Sequence, residues 1–404
     1  MRIDSIYLRD VGPFDEVTID FPVGRDPGLA DVYLLTGPNG CGKSTVLYAI
    51  AALLGGEAEG LLRRRMRSAE ARVSAHVGDG VLIATPSSIS LETPQPISIR
   101  RQPIEWAAFA YAGTRHVSDG RVTAISEPKT DPFDKVLAFH DTADTSVLAH
   151  WIASQYLKEL KADKNGQSAR AAEIRQSISE IESTISGITG DAFEFDLSGD
   201  DNDVRVRRNG IVVEMGVLPD GLKSIVSWVA DLLMRLERIP WVGNAPPMQR
   251  PFLLLLDEID IHLHPEWQRR VLPVVQKLFP NAQIIASTHS PFVVASAADA
   301  YVIPFVLENG KSTLGEVREL ERGVSYGATL RDVFGVVSEF DTETESMLAD
   351  FHRVKDRLLQ GLDADRAAVD ALALTIAKRS EELASIMGFE VRQLDRHLKK
   401  LATG

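Results

Sequence analysis

One nine-residue stretch limits this chain more than any other: GPNGCGKST at 37–45, set between two apolar segments. The run Val32-Tyr33-Leu34-Leu35 before it reads as a strand, and Val46 to Leu54 after it lacks breakers and reads as a helix. Gly37, Gly42, Lys43 and Ser44 satisfy G-x-x-x-x-G-K-[ST] in this strand, loop, helix context. Glycines at those places let backbone N–H groups close around phosphate oxygens, while the following helix turns its positive end toward them. Lys43 is expected to bridge β- and γ-phosphates and Ser44 to give a hydroxyl ligand to Mg²⁺, with Asn39, Gly40, Cys41 and Thr45 lining the nucleotide. ATP with Mg²⁺ is therefore the expected ligand. The competing reading is a glycine-rich turn arising by chance.

Two later segments bear on that choice. Phe252 to Leu256 is apolar without alternation, as a central parallel strand covered on both faces must be, and it ends in Asp257-Glu258. Open α/β sheets gather ligands at such strand ends, so Asp257 can hold the metal and Glu258 can polarise an attacking water. A solvated turn would explain the pair equally well without the phosphate loop. Gln283 to Thr288 reads as another buried strand, with His289 at its end, where an imidazole can contact a γ-phosphate. A lone histidine is more often structural.

Composition sets outer limits. The chain has 404 residues, 44% of them hydrophobic, enough for one large domain with insertions or for two. No stretch nears the roughly 18 apolar residues of a membrane helix, and the charged start MRIDSIYLRD is unlike a signal peptide. A cytoplasmic protein is expected, and the single cysteine, Cys41, fits a reducing compartment. The net charge of −13 disfavours nonspecific nucleic-acid binding by the whole surface. Local clusters remain at Arg63-Arg64-Arg65-Met66-Arg67, Arg100-Arg101 and Arg205-Val206-Arg207-Arg208, where DNA or RNA backbone could lie.

An N-terminal hairpin is expected from Ile3, Ile6, Leu8 and the alternating Val17, Ile19, Phe21, and antiparallel strands from Arg72 to Thr85 and Ile97 to Arg101. Between about 145 and 188 the pattern turns helical. Ile174, Ile178, Ile181, Ile185 and Ile188 make a heptad seam that Leu148, Ile152, Leu157 and Leu160 could face across the turn Lys164-Asn165-Gly166. Such a hairpin could pack on the domain or serve as a partner-binding arm. Residues 321–404 read as helical, with VRQLDRHLKKL amphipathic.

Taken together, the chain resembles the ABC-type ATPases, in particular their soluble SMC/RecF-like branch, over roughly residues 1–310. GPNGCGKST matches Walker A, FLLLLDEID matches Walker B with its glutamate, IDIHLHP matches the D-loop and STHSP the His switch. The resemblance implies an α/β P-loop NTPase fold. Its ABC-type head, 1–320, combines a mixed sheet with an antiparallel lobe and a helical-hairpin insertion, and a helical tail, 321–404, follows. It also implies a dimer of heads sandwiching ATP, each site completed by a signature loop in trans. The matching segment here is Leu218-Pro219-Asp220-Gly221-Leu222, where proline replaces the usual serine, leaving Gly221, Lys223 or Ser224 for that contact. Asp220 capping an ordinary helix is the alternative. By resemblance Asp260 of the D-loop faces the partner head, a role that fits His262 and His264 better than a zinc site without a third ligand does. The Q-loop position carries Ala112, so Arg115 or Gln102 stands in for it.

Soluble heads of this size with helical tails are similar to antiphage-defence ATPases, the Septu ATPase that works beside a nuclease, or the overcoming-lysogenisation-defect type without its Toprim domain. That implies slow ATP hydrolysis by Glu258 and His289 and an effector, such as a nuclease, held by the C-terminal helices. A RecF-like DNA clamp, a non-hydrolysing ATP-bound scaffold and a transporter ATPase are the alternatives.

Overall fold

The computed structural model describes residues 2–24, 26–55, 58–78, 80–87, 89–92, 104–113, 120–122, 125–139, 143–197, 203–320, 323–336, 338, 340–361 and 365–403. The expected strand from Ile97 to Arg101, and with it Arg100, Arg101, Gln102 and Arg115, lies outside these residues.

Packing divides the chain into Met1–Thr329 and Leu330–Gly404. The first unit extends past residue 320 because Tyr326 is tied into it: its ring lies 5.0 Å from that of Phe292, and the Arg269 guanidinium stands 5.3 Å over it.

Five parallel strands form the middle of that unit, in the order Ala107–Tyr111, Phe252–Leu256, Gln283–Ser287, Asp31–Thr36 and Ala300–Glu308. Lys311–Leu314 and Arg318–Glu319 add antiparallel partners to the last of them. Leucine is only a fair strand former, yet Phe252–Leu256 is wholly buried, so burial on both faces outweighs intrinsic preference. Register decides where the site forms. Leu256 pairs with Ala286 and with Tyr111, and Ser287 with Leu35, so the loops after four strands open along one edge.

A second, antiparallel sheet runs Phe14–Asp20, Ile3–Val11, Arg72–Val77, Gly80–Ala84 and Ile89–Glu92. Its pairs Ile6 with Ile19 and Leu8 with Val17 lie on the buried face. The helix Lys43–Leu53 contacts both sheets, and every residue from Thr45 to Leu53 is buried. A helix apolar all round has to be enclosed, and here the second sheet completes the enclosure.

The helical hairpin is Thr145–Lys164 and Ser168–Thr189, turning through Gly166 at φ 71°. Ile178, Ile181, Ile185 and Ile188 are fully buried, as the heptad seam requires. Leu160 is not part of the seam: it is 66% exposed and lies off the buried face, which Ala162 and Ala171 continue toward the turn. Ser168–Thr189 packs against the helix Pro265–Leu278, so the pair lies on the head. A small three-stranded sheet, Phe193–Asp196, Arg205–Arg208 and Ile211–Glu214, follows it.

The second unit contains the helices Thr342–Leu359, Arg366–Ala377 and Glu381–Thr403 around Phe351, Val369, Ile376, Leu383, Met387 and Leu394. Asp341 and Asp365 cap the first two through their side chains. Among the described residues, no helix is long and apolar enough to cross a membrane.

Candidate active site

The phosphate loop takes backbone shapes that its glycines permit, with Gly37, Gly40 and Gly42 at φ 134°, 79° and 100°. At Gly42 a side chain would also collide, since a Cβ would lie 2.5 Å from the Phe14 ring. Asn39 and Gly40 are exposed at the lip, whereas Cys41 and Thr45 face inward, Thr45 against Gly12. Lys43 Nζ lies over the loop, donating to the Gly37 carbonyl at 3.0 Å and the Pro38 carbonyl at 3.2 Å. The Lys43–Leu53 helix begins directly behind it, with no side-chain cap on its first amides.

Asp257 receives three hydroxyls, two from the helix Lys43–Leu53 and one from the end of the strand Gln283–Ser287. Ser44 Oγ donates to its Oδ1 at 2.9 Å, Ser287 Oγ to the same oxygen at 2.6 Å, and the Tyr48 hydroxyl to Oδ2 at 3.2 Å. Burial and the neighbouring Asp257 carboxylate push the Tyr48 phenol well above its ordinary range, so it stays a donor. Ser44 Oγ and Asp257 Oδ1 form a pair of hard oxygens within hydrogen-bond distance, the donor set suited to Mg²⁺ that completes its shell with phosphate and water. Among the described residues, no three His, Cys, Asp or Glu side chains come together in a group that could hold a metal ion. His264 caps the helix Pro265–Leu278, its Nδ1 accepting from the Glu266 amide at 3.3 Å.

Glu258 follows at φ 49°, in the left-handed region. Its amide donates to Ser287 Oγ at 2.7 Å, so one serine orients both carboxylate residues. On its other side stands Gly113, where a Cβ would approach Glu258 Cβ to 2.7 Å. Neither Ser287 nor Gly113 was singled out by motif. The available signals were that Ser287 opens the STHSP match at the end of an apolar strand and that Gly113 directly follows Ala112 at the Q-loop position.

His289 is exposed at the edge of the site. Burial of its ring environment and the Lys43 ammonium hold its pKa below the ordinary 6.5, against the pull of Asp260, Glu258 and Asp257. The resemblance turned Asp260 toward a partner head. Within the chain its Oδ1 accepts from Thr288 Oγ1 at 2.6 Å and from the His289 amide at 3.2 Å, tying the two loops together.

The signature segment is only partly available at the surface. Pro219 caps the helix starting at Asp220, so Asp220 is its first residue and not its cap. Pro219 and Asp220 are exposed and Lys223 is half-buried, with its Nζ 3.9 Å from Asp220. Leu218, Gly221 and Ser224 face inward: Ser224 is 2% exposed, and a Cβ on Gly221 would meet the His262 carbonyl at 2.4 Å. Ala112 is buried.

The arginine clusters are largely engaged internally. Arg67 donates to Asp15 at 2.7 Å and Arg208 to Asp191 at 2.6 Å, while Arg207 pairs with Asp196 and Arg63 with Glu59.

Comparison with known proteins agrees with this geometry. A family model described as "AAA domain, putative AbiEii toxin, Type IV TA system" matches residues 123–295, and an "AAA domain" model matches 5–100. "Retron Vc95 probable ATPase" of Vibrio cholerae is 32% identical over 36% of this chain, and "Retron Ec83 probable ATPase" of Escherichia coli 36% over 27%. Those matches span only 28% and 20% of the two retron proteins. "Septu protein PtuA" of Bacillus thuringiensis is 22% identical over 83% of this chain and 84% of its own length. Among solved structures, an SMC head bound to the C-winged helix domain of ScpA covers 80% of this chain and 98% of its own, at 16% identity and TM-score 0.48. The SMC head domain from Thermotoga maritima covers 80% and 100%, at 18% and 0.43. With that sheet order and that loop at its edge, the chain has an α/β P-loop NTPase fold of ABC type, and it is similar in sequence to Septu PtuA and the retron ATPases.

Proposed function

We propose that the protein binds ATP with Mg²⁺ and hydrolyses it as a head-to-head dimer, and that the state of the heads governs an associated effector, a nuclease in antiphage defence. The observation that carries the reading is the 2.9 Å contact between Ser44 and Asp257, which brings residues 213 positions apart to one point beside the phosphate loop. The loop amides and Lys43 bind the β- and γ-phosphates, and Ser44 with Asp257 would hold Mg²⁺. Mg²⁺ there would neutralise charge on the phosphate oxygens. Glu258, held by Ser287 and Gly113, orients the attacking water, and His289, kept neutral by its surroundings, hydrogen-bonds the γ-phosphate.

Exposed Pro219 and Asp220 at the signature helix support a trans contact made by this short acidic lip and Lys223, with Ser224 too deep to take part. The defence role rests on similarity to Septu PtuA and the retron proteins. The second unit is the favoured effector platform, since it has its own core and leaves Leu374 60% and Phe389 50% exposed. A clamp on DNA is less favoured, because most of the described cluster arginines already have carboxylate partners.

The test is Glu258→Gln with ATP in analytical ultracentrifugation, beside phosphate release by the wild type. Hydrolysis should fall roughly a hundredfold or more in the variant while ATP and the dimer are retained. A monomer at saturating ATP would overturn the dimer, and a wild type releasing no phosphate would overturn hydrolysis. Capture of the variant from its host, with and without residues 330–404, should recover a nuclease only with the full chain.

A further inference from the structure

The helix behind the phosphate loop presents two hydroxyls to Asp257, and the proposed function uses only one. Ser44 and Tyr48 are four residues apart on Lys43–Leu53, so they share a face. Ser44 and Ser287 hold Oδ1, while on the described residues' hydrogen bonds Oδ2 is held by Tyr48, at 3.2 Å. The ring carrying that hydroxyl is clamped on two sides. Phe139 meets it edge-on at 4.5 Å between centroids, and the Arg65 guanidinium stands 4.6 Å over its face. Arg65 is itself steadied by a 2.9 Å bond from its Nη1 to the Leu61 carbonyl. Tyr48 is 6% exposed and Asp257 5%, so water competes weakly for the contact.

A buried carboxylate that must offer one oxygen to a metal needs its plane fixed. With Oδ1 shared between two serines and Oδ2 free, the group could rotate about its Cβ–Cγ bond, a soft torsion. We propose that Tyr48 is a positioning residue for the Mg²⁺ site: its hydroxyl locks Oδ2 of Asp257 so that Oδ1 stays beside Ser44, and Arg65 keeps the ring in the orientation that aims it. The proposal rests on the reading of Ser44 and Asp257 as the Mg²⁺ pair. A tyrosine that merely found the nearest acceptor would behave differently on removal of its oxygen, changing stability but not metal dependence.

The experiment titrates MgCl₂ against binding of a fluorescent ATP analogue, in parallel with ATP hydrolysis, for the wild type, Tyr48→Phe and Arg65→Gln. Tyr48→Phe keeps the clamped ring and deletes the donor. It should raise the Mg²⁺ concentration for half-maximal binding about three- to tenfold and lower kcat by a similar factor, as loss of one net hydrogen bond would, with affinity at saturating Mg²⁺ little changed. Arg65→Gln should shift both in the same direction by less. An unchanged Mg²⁺ titration in Tyr48→Phe overturns the proposal, whatever its melting temperature. A wild type that binds Mg-ATP without hydrolysing it removes the hydrolytic reading and leaves the titration to decide on Tyr48. Nucleotide binding indifferent to Mg²⁺ in the wild type removes the metal pair and this proposal together.

Discussion

Glu258 occupies a backbone conformation that a glutamate adopts at a cost of roughly 1 kcal/mol, at φ 49°. It persists because the Ser287 hydroxyl takes its amide and Gly113 leaves room for its side chain. Gly113→Ala should therefore push the carboxylate off its position, lowering kcat at least tenfold with ATP affinity within about twofold, read by steady-state kinetics beside nucleotide titration. His289 gives a pH signature. Its folded-state pKa lies below the ordinary 6.5, so the imidazole is neutral at neutral pH, and both its contribution to stability and its neutral form are lost as pH falls below 6.5. Hydrolysis should stay level from about pH 7 to 8 and decline only on the acid side, and His289→Gln should flatten that decline. The positions of Lys43, Ser44, Asp257 and Glu258 along one edge of the sheet were legible in the sequence because local patterns mark them. Tyr48 and Ser287 were not, since a tyrosine inside an apolar helix and a serine ending a strand acquire their roles only when segments 209 and 30 residues away arrive beside them.

Among elements, the helix from Asp220 to Arg238 is the least regular. Val226–Ala230 winds as a π-turn, a form found mostly where function or packing demands it. Immediately after it, Asp231 is 1% exposed, accepting from Arg235 Nε at 2.7 Å and from the Tyr111 hydroxyl at 2.8 Å, while Arg235 also donates to the Pro132 and Asp134 carbonyls. Burial pushes the Asp231 carboxyl upward even though Arg235 opposes it. Arg235→Ala would leave that carboxylate buried and unpaired, so it should destabilise the head by about 3–5 kcal/mol, visible as a lowered Tm in calorimetry. Simultaneous Asp231→Leu should recover part of the loss. Periodicity made this helix and the isoleucine seam legible, but not the π-turn, which leaves no mark in hydrophobic spacing. The strands Phe193–Asp196 and Arg205–Arg208 were missed because four residues are too few to alternate convincingly and the second reads as a basic cluster.

At the scale of the molecule, the sequence conveyed a head followed by a helical tail, though the packing boundary falls at Thr329 because Tyr326 belongs to the head's aromatic contacts. Residues 330–404 have a core of their own, with Lys355 bonded to Glu390 at 2.7 Å and Arg366 to Asp395 at 2.5 Å. Expressed alone, that segment should be helical by circular dichroism and melt cooperatively, and its removal should leave ATP binding by residues 1–329 intact. The surface charge resisted reading from composition alone, because whether an arginine attracts phosphate depends on whether a carboxylate has already claimed it. The enclosed helix behind the phosphate loop has a further consequence, in the time domain. With sheets on two sides of Lys43–Leu53, its later amides can meet water only when the head opens globally, so their deuterium uptake should track whole-head unfolding and remain the slowest in the protein, bound nucleotide or none.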